Sequence, residues 1–292
     1  MRGNTAPPAA SLQSQGMATD TLHPVRGAAS CGSRVRAWRN ARGLSQIDLA
    51  ARAGFSTRHV SFVETGRTRP SRETVLVLAE ALEVPLRERN LLLEAAGFAR
   101  VFRETALTAE EMTHVRGVLQ FILDRHLPYP ALVLDRHSTC LQGNRAAGHL
   151  MSMLVAPSLL GHGTNQLRAV FHPEGVRRSI VNWPQVESYL LRRAEQELGS
   201  GDDPIGAELL AEIRNYAKGS VESDAPAPLR TTDLLLPIHI RTADIDLRLF
   251  STIMTLGTAQ DVTLQELRIE TFFPADEASE HTWRALAAAA VT

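Results

Sequence analysis

The residues best suited to chemistry lie between positions 56 and 69, and their types suit contacts with nucleic acid. Arg58 carries a fork of donors that matches the O6 and N7 atoms of guanine, and the ring of Phe62 suits the methyl group of thymine. Hydroxyl groups and arginines around them suit phosphate oxygens. The alternatives are a wider core stripe for Phe62 and a solvated loop for the last arginines. We predict DNA contacts from Ser56, Thr57, Arg58, Ser61, Phe62, Arg67 and Arg69.

Two short helices joined by a tight turn would position these side chains. Ser45 is a suitable N-cap for the first helix, and Gly54 can adopt the positive φ that ends it. Ser56 is a suitable N-cap for the second helix, which is expected to run to Thr65 and to end at Gly66. At about 100° per residue, the valines of the second helix point away from the predicted DNA contacts. This pattern predicts a helix-turn-helix, a motif that places one helix in the major groove.

Further motifs surround these two helices. They are Gln46, the Ala50...Gly54 turn, the run Val60-x-x-Val63-Glu64-x-Gly66-Arg67, the pair Pro70-Ser71, and the run Leu78-Ala79-x-Ala81-Leu82-x-Val84. With them, the segment from about Ser33 to Gly97 resembles an Xre-type helix-turn-helix domain, as in lambdoid phage repressors. The resemblance implies that Gln46, like Thr57, Arg58 and Phe62, touches bases or phosphate. It also implies a structural salt bridge between Arg39 and Glu64.

Charge and composition narrow the class of protein. Residues 34–100 carry a net charge of +5 and residues 101–292 carry −7, so the basic part suits phosphate. The chain is 44% hydrophobic, has no run of about 18 apolar residues, and has two widely spaced cysteines. These features predict a globular cytoplasmic protein with free thiols and no membrane segment. Residues 1–29, rich in small and polar types, are expected to be disordered.

The hydrophobic period changes after a helix that is expected over residues 104–125, with Thr108 as its N-cap. Five strands are then predicted, with helices between the second and the third and a further helix from Asp276. Together they predict a five-stranded antiparallel sheet with helices on one face, which resembles a PAS-like sensor domain. The expected strands are residues 130–135, 139–143, 234–241, 247–256 and 264–273.

Several motifs make this resemblance narrower. They are His172-Pro-Glu-Gly175, Val181-Asn-Trp183, Phe250-Ser-Thr252, Gly257-Thr-Ala-Gln-Asp-Val262 and Phe272-Phe-Pro-Ala-Asp276. With the helix-turn-helix, they resemble an MmyB-like transcription regulator. The resemblance implies bacterial transcription control and a ligand-binding domain that takes fatty-acid-type ligands.

A cup formed by the sheet and its covering helices would hold such a ligand. We predict its lining from apolar strand residues and from the covering segment, where Arg177, Asn182 and His172 are candidates to receive a carboxylate. Which face of the fourth strand points inward is left open. The predicted lining is Leu132, Leu134, Met151, Phe171, His172, Arg177, Asn182, Trp183, Phe250 and Thr252.

Other chemistries have little support in the sequence. It contains no HExxH, CxxC, GxSxG, Walker or dinucleotide motif, so we expect neither an enzyme nor a metal or other cofactor beyond a fatty-acid effector. The alternative function is a helix-turn-helix protein whose C-terminal domain grips a protein partner, as an antitoxin does.

The sequence therefore predicts an α+β protein with four parts. These are a disordered segment over 1–29, a five-helix DNA-binding domain over 30–100, a connecting helix over 101–127 and a PAS-like ligand-binding domain over 128–292. A homodimer on a palindromic double-stranded DNA operator is expected, because one short helix reads few base pairs.

Overall fold

The chain forms two compact units in a computed structural model that describes residues 29–161, 163–199, 203–218 and 235–289. The first unit comprises the chain up to Leu82 together with Leu92–Phe98. The second comprises Glu83–Leu91 and the chain from Ala99 onwards. The disorder expected over residues 1–29 lies, except for residue 29, outside the described residues.

Serine caps define the starts of the first four helices. The side chains of Ser30, Ser45, Ser56 and Ser71 each accept a hydrogen bond from the backbone N–H three residues later. The caps predicted at Ser45 and Ser56 are therefore confirmed. The first five helices are α1 (Cys31–Ala41), α2 (Gln46–Ala53), α3 (Thr57–Glu64), α4 (Arg72–Ala81) and α5 (Leu86–Ala95).

The turn between α2 and α3 also has the predicted geometry. Gly54 ends α2 in the left-handed region with φ 68°, and Gly66 follows α3 with φ 72°. Val60 and Val63 are at most 1% exposed and belong to the core, as their helical phase indicates. The helix-turn-helix is therefore confirmed in its caps, its turn and its buried face.

Gly32 of α1 lies against the main chain at the C-terminal end of α3. A Cβ atom added there would stand 2.2 Å from the carbonyl oxygen of Val63 and 2.9 Å from that of Glu64. Glycine is required at this point because any side chain would overlap main-chain atoms. The approach of α3 to α1 is thus set by backbone.

The second unit is built on an antiparallel sheet with strand order β2-β1-β5-β4-β3. Five strands were expected, and five form within the described residues, so the α+β fold is confirmed. Every neighbouring pair is antiparallel, and β5 is the central strand. The strands are β1 (Ala131–Leu134), β2 (Cys140–Gly143), β3 (Ile238–Arg241), β4 (Asp246–Met254) and β5 (Arg268–Pro274).

Helices cover both faces of this sheet, so the expectation of helices on one face is wrong. Leu119 and Leu123 of α6 pack with Ala131 and Val133 on one face, while Leu132, between them in the strand, faces α7 and α9. Both faces of β1 are apolar, which is typical of a strand covered on both sides. The helices are α6 (Thr113–Arg125), α7 (Arg145–Leu154), α8 (Gln166–Phe171), α9 (Trp183–Leu198), α10 (Pro204–Lys218), α11 (Val262–Glu266) and α12 (Glu277–Ala289).

Several element boundaries differ from the sequence prediction, as in the third strand, which begins at Ile238, and two of the differences have a local cause. Thr108 is not an N-cap, because α6 begins at Thr113 after a short 3-10 turn. Arg116 of α6 donates to the carbonyl oxygens of Leu107 and Ala109 in the loop before that turn. The expected strand over 264–273 starts at Arg268. Residues 262–266 form α11 instead, because the side chain of Asp261 caps it by accepting from the backbone N–H of Thr263.

Candidate functional site

The outward face of α3 carries the side chains that were predicted to meet DNA. Ser56, Thr57, Arg58 and Arg67 are exposed. Ser61 and Phe62 are half-buried, and both lie outside the buried core. The structure therefore places six of the predicted residues on α3, at its N-cap or just beyond its C-terminal end.

The ring of Phe62 organises this surface. The guanidinium carbon of Arg58 lies 5.1 Å from the ring centroid, and that of Arg67 lies 5.8 Å from it. At exposed positions such cation–π contacts are worth about 0.5–1 kcal/mol each. Phe62 is therefore a platform that holds two arginines at the surface.

Arg69 is placed apart from this cluster. One terminal nitrogen of its guanidinium donates to the carbonyl oxygen of Ala96 at 3.2 Å, at the end of α5. Carbonyl groups at a helix C-terminus lack partners within the helix, so an arginine there has a structural role. The role predicted for Arg69 at phosphate stays a prediction.

Glu64 is the buried centre of the first unit's polar interactions. Its carboxylate accepts hydrogen bonds from Arg39 Nε at 2.7 Å, Arg39 Nη2 at 3.1 Å and Gln46 Nε2 at 2.8 Å, with a longer contact to Arg36 Nε at 3.4 Å. Burial alone would raise the pKa of Glu64, but these hydrogen bonds, led by that of Arg39, hold it below its ordinary value. The implied salt bridge between Arg39 and Glu64 is confirmed, and Gln46 is held by the same carboxylate.

A mainly apolar cavity lies in the second unit, between the sheet and helices α7, α8 and α9. Its volume is about 100 Å³. The lining includes residues from all these elements and from β3, β4 and β5. Its apolar members are Pro130, Leu132, Ala147, Leu150, Met151, Leu154, Leu167, Val170, Val176, Ile180, Val186, Leu190, Ala194, Ile238, Ile240, Leu249 and Phe272.

One wall of the cavity is polar. Glu270, on the central strand, is 5% exposed and accepts a hydrogen bond from Gln166 Nε2 at 2.7 Å. Arg193 of α9 donates from Nε to Glu197 at 2.9 Å, and Glu197 also pairs with Arg268. Burial lowers the pKa of Arg193, but the hydrogen bond to Glu197 and the negative charges of Glu197 and Glu270 outweigh it, so that its pKa is raised.

Of the residues predicted to line a ligand cavity, the structure places Leu132 and Met151 in this lining. Phe250 and Thr252 lie on the other face of the sheet. Phe250 stacks on Phe273 there, and the hydroxyl of Thr252 meets that of Thr271 at 2.7 Å. Strand alternation explains the difference, because Leu249 between β3 and β5 is the β4 residue that faces the cavity.

The remaining predicted residues also lie outside the lining. Phe171 and Trp183 make an edge-to-face contact at 5.3 Å, and His172 contacts the ring of Tyr216. The other three serve the fold. Leu134 is buried in β1, Arg177 donates to the carbonyl oxygens of Phe171 and Tyr216, and Asn182 binds the backbone of Pro237 and His239.

Sequence reasoning missed the polar wall formed by Arg193, Glu197, Gln166 and Glu270. One signal was available for the last of these. Glu270 lies between Ile269 and the pair Phe272–Phe273 in a predicted strand, and a charge within a covered strand is costly unless it has a partner or a function.

The described part of the chain lacks both a metal-binding cluster and a membrane-spanning helix. It contains no group of three or more His, Cys, Asp or Glu side chains that could hold a metal ion. It also contains no helix that is long and apolar enough to cross a membrane. Cys31 and Cys140 are both free thiols.

The described part of the chain thus combines a helix-turn-helix that has an arginine-bearing outward face with an α+β unit that has an internal cavity. Residues 35–89 match the helix-turn-helix family. Residues 115–286 match the MmyB-like transcription regulator ligand binding domain. The chain belongs to this MmyB-like family, as the motifs between His172 and Asp276 indicated.

Similar curated proteins share a part of the chain. Uncharacterized HTH-type transcriptional regulators of Mycobacterium tuberculosis and Mycobacterium bovis are 36% identical over 98 residues, which is 33% of this chain and 38% of each relative. One from Sinorhizobium fredii is 42% identical over 53 residues, 18% of this chain and 69% of the relative. The match thus spans well under half the length of the mycobacterial relatives.

Among solved structures, a restriction-modification controller protein from Aeromonas hydrophila is 41% identical. The match covers 20% of this chain and 89% of the controller protein, with a TM-score of 0.20.

Proposed function

We propose that this regulator changes its affinity for a DNA operator when its second unit binds a small apolar ligand of the fatty-acid class. The observation that carries the proposal is the internal cavity, because its lining is largely apolar and its few polar residues are Ser138 and the hydrogen-bonded pairs Gln166–Glu270 and Arg193–Glu197. Such a distribution suits a ligand with a hydrocarbon body and one polar head. Each buried CH₂ group would contribute about 0.8 kcal/mol to binding.

The size of the cavity supports a ligand-dependent change of shape. Its volume of about 100 Å³ is smaller than the about 150 Å³ of a protein cavity that takes up benzene. A long acyl chain therefore enters only if the helices that cover the sheet move outwards. A ligand with higher affinity for the expanded state would shift the population towards it, which is the requirement for a signal.

The test compares binding of ligand with binding of DNA. Octanoic, dodecanoic and tetradecanoic acids would be titrated into the full chain, and its affinity for an operator selected from random duplexes would be measured by fluorescence anisotropy with and without each acid. Ala194→Leu adds volume inside the cavity, and Ala207→Leu makes the same change at an exposed position. We expect the first variant alone to lose the response. An affinity for the operator that is unchanged by every acid would refute the proposal.

At the DNA, we propose that Arg58 reads a base edge and that Arg67 and the hydroxyl groups at the start of α3 hold the phosphate backbone. The exposed position of Arg58 beside the Phe62 ring supports this. Gln46 and Arg69 are proposed as lesser contacts, because both donate hydrogen bonds within the protein. The protein is expected to act in the cytoplasm, at the chromosome.

We also propose a homodimer in which α6 meets its copy. Val118 and Phe121 lie one turn apart on this helix and are 39% and 59% exposed, which supports an interface there. Two-fold symmetry would place the half-sites about one helical turn of DNA apart. Sedimentation at micromolar concentration, with and without operator, tests this. A monomer in both conditions contradicts it.

The competing function is a protein-interaction module with no small-molecule ligand. The cavity favours the ligand, because an interaction module needs an exposed apolar patch rather than an internal space. Loss of DNA binding on adding a partner protein, with no response to any acid, would favour the module.

A further inference from the structure

The polar wall of the cavity contains one cation, Arg193, and one deeply buried carboxylate, Glu270. Glu270 lies on β5, the central strand, directly across from Leu132 of β1, and its side chain lines the cavity. Within the described part of the chain, its one side-chain hydrogen bond comes from Gln166. A carboxylate has about four lone-pair directions, so Glu270 can accept further hydrogen bonds from a molecule in the cavity.

The cation of the same wall has donors that its ion pair does not use. Arg193 donates its Nε–H to one carboxylate oxygen of Glu197, and the other oxygen pairs with Arg268. The guanidinium carries five N–H donors in all, and Arg193 also lines the cavity. A polar head in this place therefore meets an acceptor at Glu270 and a donor at Arg193.

The charged side chains around the polar head of the ligand already balance one another. Glu197 and Tyr189 of α9 face Arg193, and Arg268 and Glu270 belong to β5. The two arginines are balanced by the two glutamates, so an ionised carboxylate would add an uncompensated negative charge beside Glu270. Burying an unpaired charge in an apolar cavity is expensive, and like charges at one site share a proton instead.

We propose that the cavity binds the polar head of its ligand in a neutral form that both donates to Glu270 and accepts from Arg193. This rests on the proposed function and specifies its ligand. A fatty acid binds by taking one proton from solvent, its O–H then donating to the Glu270 carboxylate while its carbonyl oxygen accepts from Arg193. A primary fatty amide has the same donor and acceptor with no proton to take up.

The difference between acid and amide gives the test. Octanoic acid and octanamide would be titrated calorimetrically into the full chain from about pH 6 to about pH 8, well above the pKa of an ordinary carboxyl group, about 4.3. The dissociation constant of the acid is expected to rise about tenfold per pH unit, and that of the amide to stay within about twofold. Repeating the acid titration in buffers of different ionisation enthalpy should reveal uptake of about one proton per ligand. This measurement uses the unmodified chain alone.

Glu270→Gln tests the residue itself. An amide at this position can donate to an ionised carboxylate, so the variant is expected to bind octanoic acid more tightly than the unmodified chain at about pH 8 and with little dependence on pH. A residue that only supports the fold would not cause a gain of affinity. Glu208→Gln makes the same change on an exposed surface of α10 and should leave both ligands unaffected.

The outcomes separate this inference from the proposed function. Acid binding without proton uptake and without pH dependence, with the amide binding weakly, would overturn the neutral head and leave the fatty-acid ligand standing. If neither compound binds at any pH, while the chain still binds DNA, both proposals about the ligand are overturned.

Discussion

Replacing Arg39 by Met should destabilise the helix-turn-helix far more than the same change at Arg36, although both arginines contact Glu64. The Arg39 side chain is 12% exposed and donates twice to a carboxylate that is 0% exposed, whereas Arg36 is 47% exposed and lies 3.4 Å away. Removing one partner of a buried pair costs about 3–5 kcal/mol, and Gln46 and Arg36 remain, so we expect about 3 kcal/mol. For Arg36→Met we expect at most about 1 kcal/mol.

Hydrogen exchange of peptides from α1 to α3 in the full chain would measure this difference. A loss of about 3 kcal/mol accelerates exchange through unfolding more than about a hundredfold. The pKa of Glu64 is lowered by folding, so its contribution is present above the ordinary carboxyl pKa of about 4.3 and is lost as the pH falls through the folded value. The difference between Arg39→Met and the unmodified chain should therefore shrink in acid. Equal effects of the two variants at neutral pH would refute the reasoning.

Three further outcomes are expected. Arg58→Ala should weaken binding to a selected operator by about 1–3 kcal/mol and relax preference at one base pair, whereas Arg52→Ala, the loss of an exposed arginine from α2, should change affinity little for any sequence. Equal losses on all sequences would make Arg58 a phosphate contact. Asn144→Ala should cost roughly 3 kcal/mol in thermal or chemical unfolding, because this buried cap also binds the backbone of Ala131, Leu123 and Tyr129. Ser45→Ala, which removes an exposed cap, should cost only about 1 kcal/mol, and equal costs would contradict this account. DNA affinity should fall steeply with salt, and Arg67→Ala should lower the slope by about one if Arg67 holds phosphate.

The features that the sequence predicts well are local. The caps at Ser45 and Ser56 and the turn at Gly54 depend on contacts within four residues, so the types of these residues determine them. The outward face of α3 follows from the helical period alone. The Arg39–Glu64 pair spans 25 residues and was found through resemblance to a family.

The ligand cavity depends on contacts that the sequence pattern does not encode. Gln166 meets Glu270 across 104 residues, and Arg193 reaches the same wall from α9. Over residues 249–254 of β4, each face carries both apolar and polar side chains, so alternation alone does not choose between them. The inward face, with Leu249, is fixed only by what packs on each side. Residues with polar side chains in the covering segment, such as Asn182, proved to bind backbone instead.

The close approach at Gly32 has a consequence for how such regulators diverge. Gly32 of α1 meets the end of α3 through the main-chain carbonyls of Val63 and Glu64, and this contact involves none of the outward side chains of α3. Arg58, Ser61 and Phe62 can therefore be exchanged for other types while the helix stays in place. Relatives can acquire new operators by a few substitutions on one exposed face, whereas a change at Gly32 would reorient α3 and alter every contact at once.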